Sequence, residues 1–335
     1  MGEKNDVMYE YLGNPAVFAD FVNVCLFEGK GEIQPENVKE YSELYHAALS
    51  DRGNQKKYLK RERDHLRKIY KDCQYVVIGE ENQDELHPFM PLRCLEYDIM
   101  EYNRQTKKLK AENRKNAGLK NGEYLAKLKQ SDQLVPVVTI VFYHGKKPYD
   151  SCKTLHDMLD FSGENAKYKP FAADYKMNLV TLDSLDETLF ETGLRELVGV
   201  MKRSDDKQRL KVYCDENRER LENLDIDTYN TISVMINQRN LQRLKKTNQE
   251  NGGVNMCKAI EDMIEDGRIE GKLEGKFDER INGIRRQRKK GYATAEIADN
   301  VDMEEDSVNQ IIELIEKKPD ISNEEIISSL ELITV

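Results

Sequence analysis

The sequence predicts an α/β fold with a mixed central sheet flanked by helices, followed by an all-α C-terminal region. Two apolar runs, 75–79 and 135–143, are rich in β-branched and aromatic residues, as is typical of buried strands. Segments with helical spacing alternate with such runs, which indicates an α/β layer. A chain of 335 residues can form one sizeable core and a smaller second unit. We therefore expect one domain over 1–247 and a helical region over 254–335.

The first predicted helix covers 14–27. Its apolar residues recur at helical spacing, and Asn14 is a suitable cap for the first turn. Pro15 fits the first turn because the backbone N–H that proline lacks would be unpaired there. These features predict the opening helix of the core.

Polar side chains close the first strand, 75–79. Side chains alternate along a strand, so Glu81 and Gln83 share one face about 7 Å apart, and Asn82 points to the other. A carboxylate and a carboxamide can therefore face one ligand together.

A second acid, Asp64, lies upstream of a polar turn at 70–73. If Asp64 belongs to the strand that pairs with 75–79, its carboxylate meets that of Glu81 at the sheet edge. Converging oxygen ligands suit Mg²⁺ or Mn²⁺. The spacing is common by chance, and charged groups solvated at strand ends are the simpler interpretation of the spacing alone.

Basic residues are concentrated beside Asp64. Positions 56–71 contain eight lysines and arginines and two acids, although the net charge of the chain is −10. Such a patch can bind a phosphate backbone, and a solvated charge run is the alternative. The candidate DNA-binding residues are Lys60, Arg61, Arg63, Arg67, Lys68 and, on the next helix, Arg93. For Arg93, an ion pair with Glu96 or Glu81 is an equally good interpretation.

The segments that follow complete the predicted α/β layer. In order, they are a helix from Phe89, a basic insertion over 107–129, a strand over 135–143, a helix-like stretch over 151–161, a loop over 163–169 and a strand over 178–182. The insertion is expected to be a mobile helical excursion or loop. His144 follows the long strand, where either a general base or an ordinary turn residue fits. Helices are expected over 187–221 and 227–246, and a linker over 248–253.

The C-terminal region has two features of its own. An apolar stripe is broken by Gly267, Gly271 and Gly275, each of which costs a helix about 1 kcal/mol, so this helix needs a partner. Self-association into a homo-oligomer is the natural suggestion, and a docked or frayed helix is the alternative. Residues 291–312 resemble a helix-turn-helix, but three acids at 304–306 would repel phosphates.

Composition argues against several classes of protein. No stretch approaches the roughly 20 apolar residues that span a bilayer, and the N-terminus is too polar for a signal peptide, so we expect a cytoplasmic protein without a membrane partner. Six cysteines form no C-x-x-C pair, which favours reduced thiols and argues against zinc. Phosphate-binding glycine loops and the G-x-S-x-G elbow of serine hydrolases are absent from the sequence.

Several segments occur together in the order typical of one family. They are FADFVN at 18–23, Asp64, VIGEENQ at 77–83, MPLRCLEYD at 90–98 and VPVVTIVFYHG at 135–145. Through them the chain, from about 7 to about 202, resembles the recombination-promoting nuclease/putative transposase family. That family has the PD-(D/E)XK nuclease fold, so the resemblance implies a PD-(D/E)XK restriction-endonuclease-like core.

The resemblance also implies roles for single residues. Asp64 and Glu81 carry over as catalytic metal ligands, and Gln83 takes the place of the usual catalytic lysine. Asp20 is a candidate first-motif acid that could reach the metal, with Asp6 and Glu10 as competitors. The backbone carbonyl of Asn82 is a further candidate ligand.

We therefore expect an Mg²⁺-dependent DNA endonuclease, with Mn²⁺ as an alternative ion, implicated in recombination or transposition. The first alternative is a catalytically weak DNA-binding or assembly protein that uses the fold as a scaffold in DNA mobility or phage defence. The second is a protein-binding module that acts through its C-terminal helix.

Overall fold

The computed structural model divides the chain into two compact units, Met1–Met256 and Cys257–Val335. The residues it describes are 3–40, 66–70, 73–80, 87–115, 121–145, 147–238, 241, 249–250 and 253–330. Within these ranges no helix is both long enough and apolar enough to cross a membrane.

A five-stranded mixed sheet forms the centre of the first unit. Its strands, adjacent in this order, are β1 (Val38–Glu40), β2 (Leu66–Tyr70), β3 (Cys73–Glu80), β4 (Val137–Tyr143) and β5 (Asn178–Thr181). β1, β2 and β3 are antiparallel, whereas β4 and β5 run parallel to β3. The predicted mixed α/β fold with a helical C-terminal region is confirmed. Its assignment to the PD-(D/E)XK class stays a prediction.

Twelve α-helices are described along the chain. They are α1 (Glu3–Tyr11), α2 (Pro15–Phe27), α3 (Met90–Arg114), α4 (Asn121–Ala126), α5 (Leu194–Met201), α6 (Lys207–Glu216), α7 (Arg218–Leu221), α8 (Ile226–Met235), α9 (Met256–Lys289), α10 (Thr294–Val301), α11 (Glu305–Lys317) and α12 (Asn323–Ser329). The predicted basic insertion is partly helical, since α3 extends into it and α4 lies within it.

Helix α2 covers one face of the sheet. It begins as the sequence predicts, because the Asn14 side-chain oxygen accepts a hydrogen bond from the backbone N–H of Ala16 at 2.9 Å. Phe21 packs edge-to-face on Phe142 of β4, with ring centroids 5.4 Å apart. Both rings are buried, so this contact fixes α2 on the sheet.

Helix α3 covers the opposite face. Met90, Cys94 and Tyr97 form a buried cluster with Val141 and Tyr143 of β4. Val141 and Tyr143 alternate with Phe142, and alternating side chains of a strand point to opposite faces. The sheet therefore lies between two helical layers.

Two expectations for the connection between β4 and β5 are wrong. Residues 151–161 form only a short 3₁₀ turn, His156–Met158, and the expected loop at 163–169 is part of a 3₁₀-helix, Gly163–Phe171. Asp157 accepts hydrogen bonds from the backbone N–H groups of Lys153 and Thr154. Such side-chain bonds compete with helix formation.

The expected linker at 248–253 is also partly structured. Gln249–Glu250 and Gly253–Val254 pair as a short antiparallel hairpin, β6 and β7.

The second unit is a helical assembly around its own core. Buried isoleucines and valines from the end of α9 and from α10, α11 and α12 form that core. A left-handed residue, Asp302, separates α10 from α11, so the predicted helix-turn-helix-like segment does contain two helices. Residues 257–335 carry 20 acids and 12 lysines or arginines, and therefore −8 of the net charge of −10.

Within α9, a long stretch is open to solvent. Of the described side chains at 261–280 none is buried, and Ile269 is 41% exposed. Among the described residues, apart from the neighbouring residues and the helix's own backbone, no atom lies within 4 Å of where a Cβ would stand on Gly271 or Gly275.

We expect Gly271→Ala to raise the free energy of unfolding by up to about 1 kcal/mol, because alanine loses less conformational freedom in a helix than glycine. The matched change Gly193→Ala should lower it, because the added Cβ would lie 2.6 Å from the Tyr11 hydroxyl oxygen. Urea unfolding followed by circular dichroism measures both. A loss of stability in Gly271→Ala would contradict the open position of this residue.

Candidate active site

Ends of neighbouring strands meet at one edge of the sheet. β3 ends at Glu80, which pairs with Tyr143 at the end of β4, and Tyr143 pairs with Thr181 at the end of β5. β2 runs in the opposite direction, so its first residue, Leu66, pairs with Val77 near the same edge. At this edge the chain enters β2 and leaves β3 and β4.

Most predicted site residues adjoin this edge in the sequence but lie outside the described residues. They are Asp64, Glu81, Asn82, Gln83, Lys60, Arg61 and Arg63. Arg67 and Lys68 belong to β2, and only their backbone is described. The roles of all these side chains stay predictions.

Asp20 is described, and its carboxylate binds the turn before α5. The carboxylate oxygens accept hydrogen bonds from the backbone N–H of Thr192 at 2.8 Å, from the Thr192 hydroxyl at 2.6 Å and from the backbone N–H of Glu191 at 3.0 Å. Hydrogen bonds to a charged acceptor are among the stronger ones, so Asp20 anchors this turn to α2. These contacts are structural, and the role of Asp20 as a metal ligand stays a prediction.

His144 follows β4 directly at the site edge, and Asn5 of α1 holds its ring. The His144 Nε2 and Asn5 Oδ1 atoms are 3.0 Å apart, and the ring packs against Phe142 with centroids 5.6 Å apart. Only 6% of His144 is exposed. Sequence reasoning did not find Asn5, because the contact joins residues 139 positions apart.

Arg93 lies in the first turns of α3, and its side chain follows the helix surface. Its Nε donates to the Tyr97 hydroxyl at 3.4 Å, and the guanidinium lies 5.8 Å from the centre of that ring. Burial, and then the charge of Arg93, lower the pKa of His87, which favours its neutral imidazole. The role of Arg93 in DNA binding stays a prediction.

A buried acid in the middle of α3, Asp98, was not singled out from the sequence. Its carboxylate accepts hydrogen bonds from the hydroxyls of Thr139 at 2.6 Å and Tyr175 at 2.7 Å. Burial raises the pKa of Asp98, although these hydrogen bonds act in the opposite direction. Burial and the neighbouring Asp98 also raise the pKa of Tyr175. A signal was available: Asp98 follows Cys94 by four residues, on the face of α3 that packs on the sheet.

The donor groups predicted for Mg²⁺ fit that ion. Two carboxylates and a backbone carbonyl are the oxygen ligands that Mg²⁺ prefers. Among the residues described, no three His, Cys, Asp or Glu side chains lie close enough together to hold a metal ion. The roles of Asp64 and Glu81 as Mg²⁺ ligands stay predictions.

Comparison with known proteins identifies a family that part of the chain matches. Residues 68–228 match the family model described as putative transposase, YhgA-like. The match includes β3, α3, β4 and β5, the elements that build the site edge. The resemblance to a putative transposase family is therefore confirmed over this range. No curated protein and no solved structure matches the chain.

We expect Asp98→Asn to gain stability relative to the wild type as pH rises from about 4 to about 7. Because the pKa of Asp98 is raised in the folded protein, ionisation above the unfolded-state pKa of about 4 disfavours folding of the wild type. Asparagine is neutral throughout. Urea unfolding of both proteins at a series of pH values measures the difference.

Asp157→Asn is the control with the opposite sign. Hydrogen bonds from the backbone N–H groups of Lys153 and Thr154 lower the pKa of Asp157, so the stability that this carboxylate contributes is fully present above the unfolded-state pKa of about 4 and is lost as pH falls below it. This variant should therefore lose stability relative to the wild type as pH rises to about 4, and should change little relative to it between about 4 and about 7. Parallel pH profiles for wild type and Asp98→Asn would contradict the raised pKa.

Proposed function

We propose that this protein is an Mg²⁺-dependent DNA endonuclease with its active site at the edge where β3 and β4 end. The carrying observation is that β3 pairs antiparallel with β2 and parallel with β4, so that Leu66 and Glu80 lie near one edge. In the sequence, Asp64 stands two positions before Leu66 and Glu81 directly follows Glu80. The family name concerns transposition, which supports DNA as the substrate.

The proposed chemistry assigns the metal to Asp64, Glu81 and the backbone carbonyl of Asn82. Bound Mg²⁺ supplies an activated water and neutralises charge that develops on the scissile phosphate. Gln83 can donate a hydrogen bond to the attacking water or to a phosphate oxygen, but its neutral amide lacks the positive charge of the usual lysine. Asp20 would have to share its carboxylate with the turn before α5, so Asp64 and Glu81 carry the proposal.

Two further sets of residues support the proposal that DNA binds at this edge. His144 follows Tyr143, the partner of Glu80, so its backbone lies at the same edge as the proposed metal site. Basic residues that precede β2 in the sequence, lie in β2 or lie on α3 would neutralise phosphates along the DNA backbone. They are Lys60, Arg61, Arg63, Arg67, Lys68 and Arg93.

The purified protein should nick or cut supercoiled plasmid with Mg²⁺ or Mn²⁺, and Asp64→Ala or Glu81→Ala should abolish the cutting because each removes a metal ligand. Gel electrophoresis across a divalent-ion series measures this. Glu36→Ala, which removes an exposed acid before β1, is the matched control and should cut like the wild type. Equal cutting by the wild type and both site variants would reject the proposal.

A catalytically weak DNA-binding or assembly protein is the second candidate, and the observation that favours it is Gln83 in the lysine position. It would bind DNA equally with and without EDTA and leave the plasmid intact. Gln83→Lys separates the two candidates further, because restoring the positive charge should raise cutting only where the metal site is functional.

We also propose that the open stretch of α9 pairs with a second copy of the chain. Ile269, Leu273 and Phe277 follow one another at i, i+4 spacing and lead into Ile281 and Ile284, which are buried in the core of the second unit. An apolar face that continues a buried one loses exposed area when two such helices pair.

The paired state predicts a concentration-dependent dimer, which sedimentation equilibrium detects. Ile269→Glu should convert the protein to monomer, because a charge would be buried in the paired face. Lys272→Glu places the same side chain on the helix about 60° away from Ile269 and should leave the dimer intact. A wild-type monomer at all concentrations would remove this proposal.

A further inference from the structure

The 3₁₀-helix Gly163–Phe171 exposes two large aromatic rings. Every residue of this helix is exposed, with Tyr168 at 55% and Phe171 at 85%. A helix of nine residues is long for the 3₁₀ type, in which runs beyond three or four residues are uncommon. Neighbouring exposed aromatic rings are a frequent mark of a binding surface.

The geometry of the helix aligns the two rings. A 3₁₀-helix has three residues per turn and a rise of about 2 Å per residue, so side chains three apart lie in one row. Tyr168 and Phe171 therefore form a row with a step of about 6 Å, which we name the aromatic ridge. The adjoining rows carry Lys167 on one side and Lys169 on the other.

The two lysines keep their charges available. Lys167 Nζ lies 5.2 Å from the centre of the Tyr168 ring, and Lys169 Nζ lies 5.8 Å from that of Phe161. Within the described part of the chain, neither ammonium group has a carboxylate within ion-pair distance, although, after the hydrogen bonds that Asp157 accepts, the charge of Lys169 also lowers the pKa of Asp157.

Three acids of the same connection are engaged by hydrogen bonds within it. Asp157 accepts from two backbone N–H groups near 153, Asp160 from the N–H and hydroxyl of Ser162, and Asp174 from the N–H of His156. The helix Gly163–Phe171 itself carries Lys167, Lys169 and the exposed Glu164, so its own net charge is +1.

Contacts at the base of the helix hold the ridge in place. His156 Nε2 lies 2.9 Å from the carbonyl oxygen of Ala172, and the His156 ring packs edge-to-face on Phe161 at 5.1 Å. Thr154 forms a β-bridge with Lys176 across the start and end of the connection. These contacts fix the segment that carries the two exposed rings.

We propose that the aromatic ridge stacks on unpaired bases of single-stranded DNA, while Lys167 and Lys169 bind the flanking phosphates. Every base offers a flat face for stacking on an aromatic side chain, and alternating phosphates match the lysines on either side. In a duplex these faces are covered by neighbouring bases. The ridge lies within the range 68–228 that matches the transposase family. The inference rests on DNA as the substrate and extends it to the strand state that is bound.

Fluorescence anisotropy in EDTA, with labelled oligothymidine and a duplex of the same length, tests the ridge without any cleavage. Phe171→Ala and Tyr168→Ala should each weaken oligothymidine binding about 5-fold or more, because stacking contributes about 1–3 kcal/mol per base. Phe171→Tyr keeps the ring and should bind like the wild type, and duplex affinity should not change. Lys167→Gln should reduce the dependence of binding on salt.

The outcomes separate this inference from the nuclease proposal. The ridge proposal is overturned if the wild type binds no oligothymidine, or if the alanine variants bind oligothymidine as well as the wild type does. Binding to anionic lipid vesicles instead of oligothymidine would also overturn it. If the protein cuts plasmid but its binding to oligothymidine does not depend on Tyr168 and Phe171, only the ridge proposal is rejected. Phe171-dependent binding without cutting rejects only the nuclease. Because both rings are exposed, their truncation leaves no cavity, and circular dichroism verifies the fold.

Discussion

The candidate site depends on the different neighbours of β3 on its two sides. β3 pairs antiparallel with β2 and parallel with β4. An antiparallel pair closes through a short turn, whereas a parallel pair needs a long connection, which α3 supplies here. Because β2 begins near the edge where β3 ends, Leu66 and Glu80 lie near one edge of the sheet. The same pairing places His144 at that edge.

Buried polar contacts hold the helical layers against this sheet. Asp98 joins α3 to Thr139 of β4 and to Tyr175, and Asp20 joins α2 to Thr192 before α5. A buried carboxylate is costly unless its oxygens are hydrogen-bonded, so each contact favours one arrangement of the layers. The start of α3, with Arg93, is thereby held beside the site edge.

The two units differ in net charge. The second unit carries most of the net negative charge, and two arginines near the end of its long helix are engaged inside it. Arg285 binds the carbonyl oxygen of Ile321, and Arg288 binds Glu316 at 2.8 Å. Electrostatics therefore favours the first unit for contact with a phosphate backbone. The proposed role of the second unit is association with a second copy of the chain.

The sequence by itself determined the elements whose signals are local. The Asn14 cap begins α2, and the β-branched runs form β3 and β4, because capping and side-chain period depend on neighbouring residues. Only the tertiary structure decided that Asn5 binds His144, that Asp20 binds Thr192 and that Tyr168 and Phe171 remain exposed in one row. Those outcomes depend on which distant segments meet, and strand order and packing, rather than local preference, decide that.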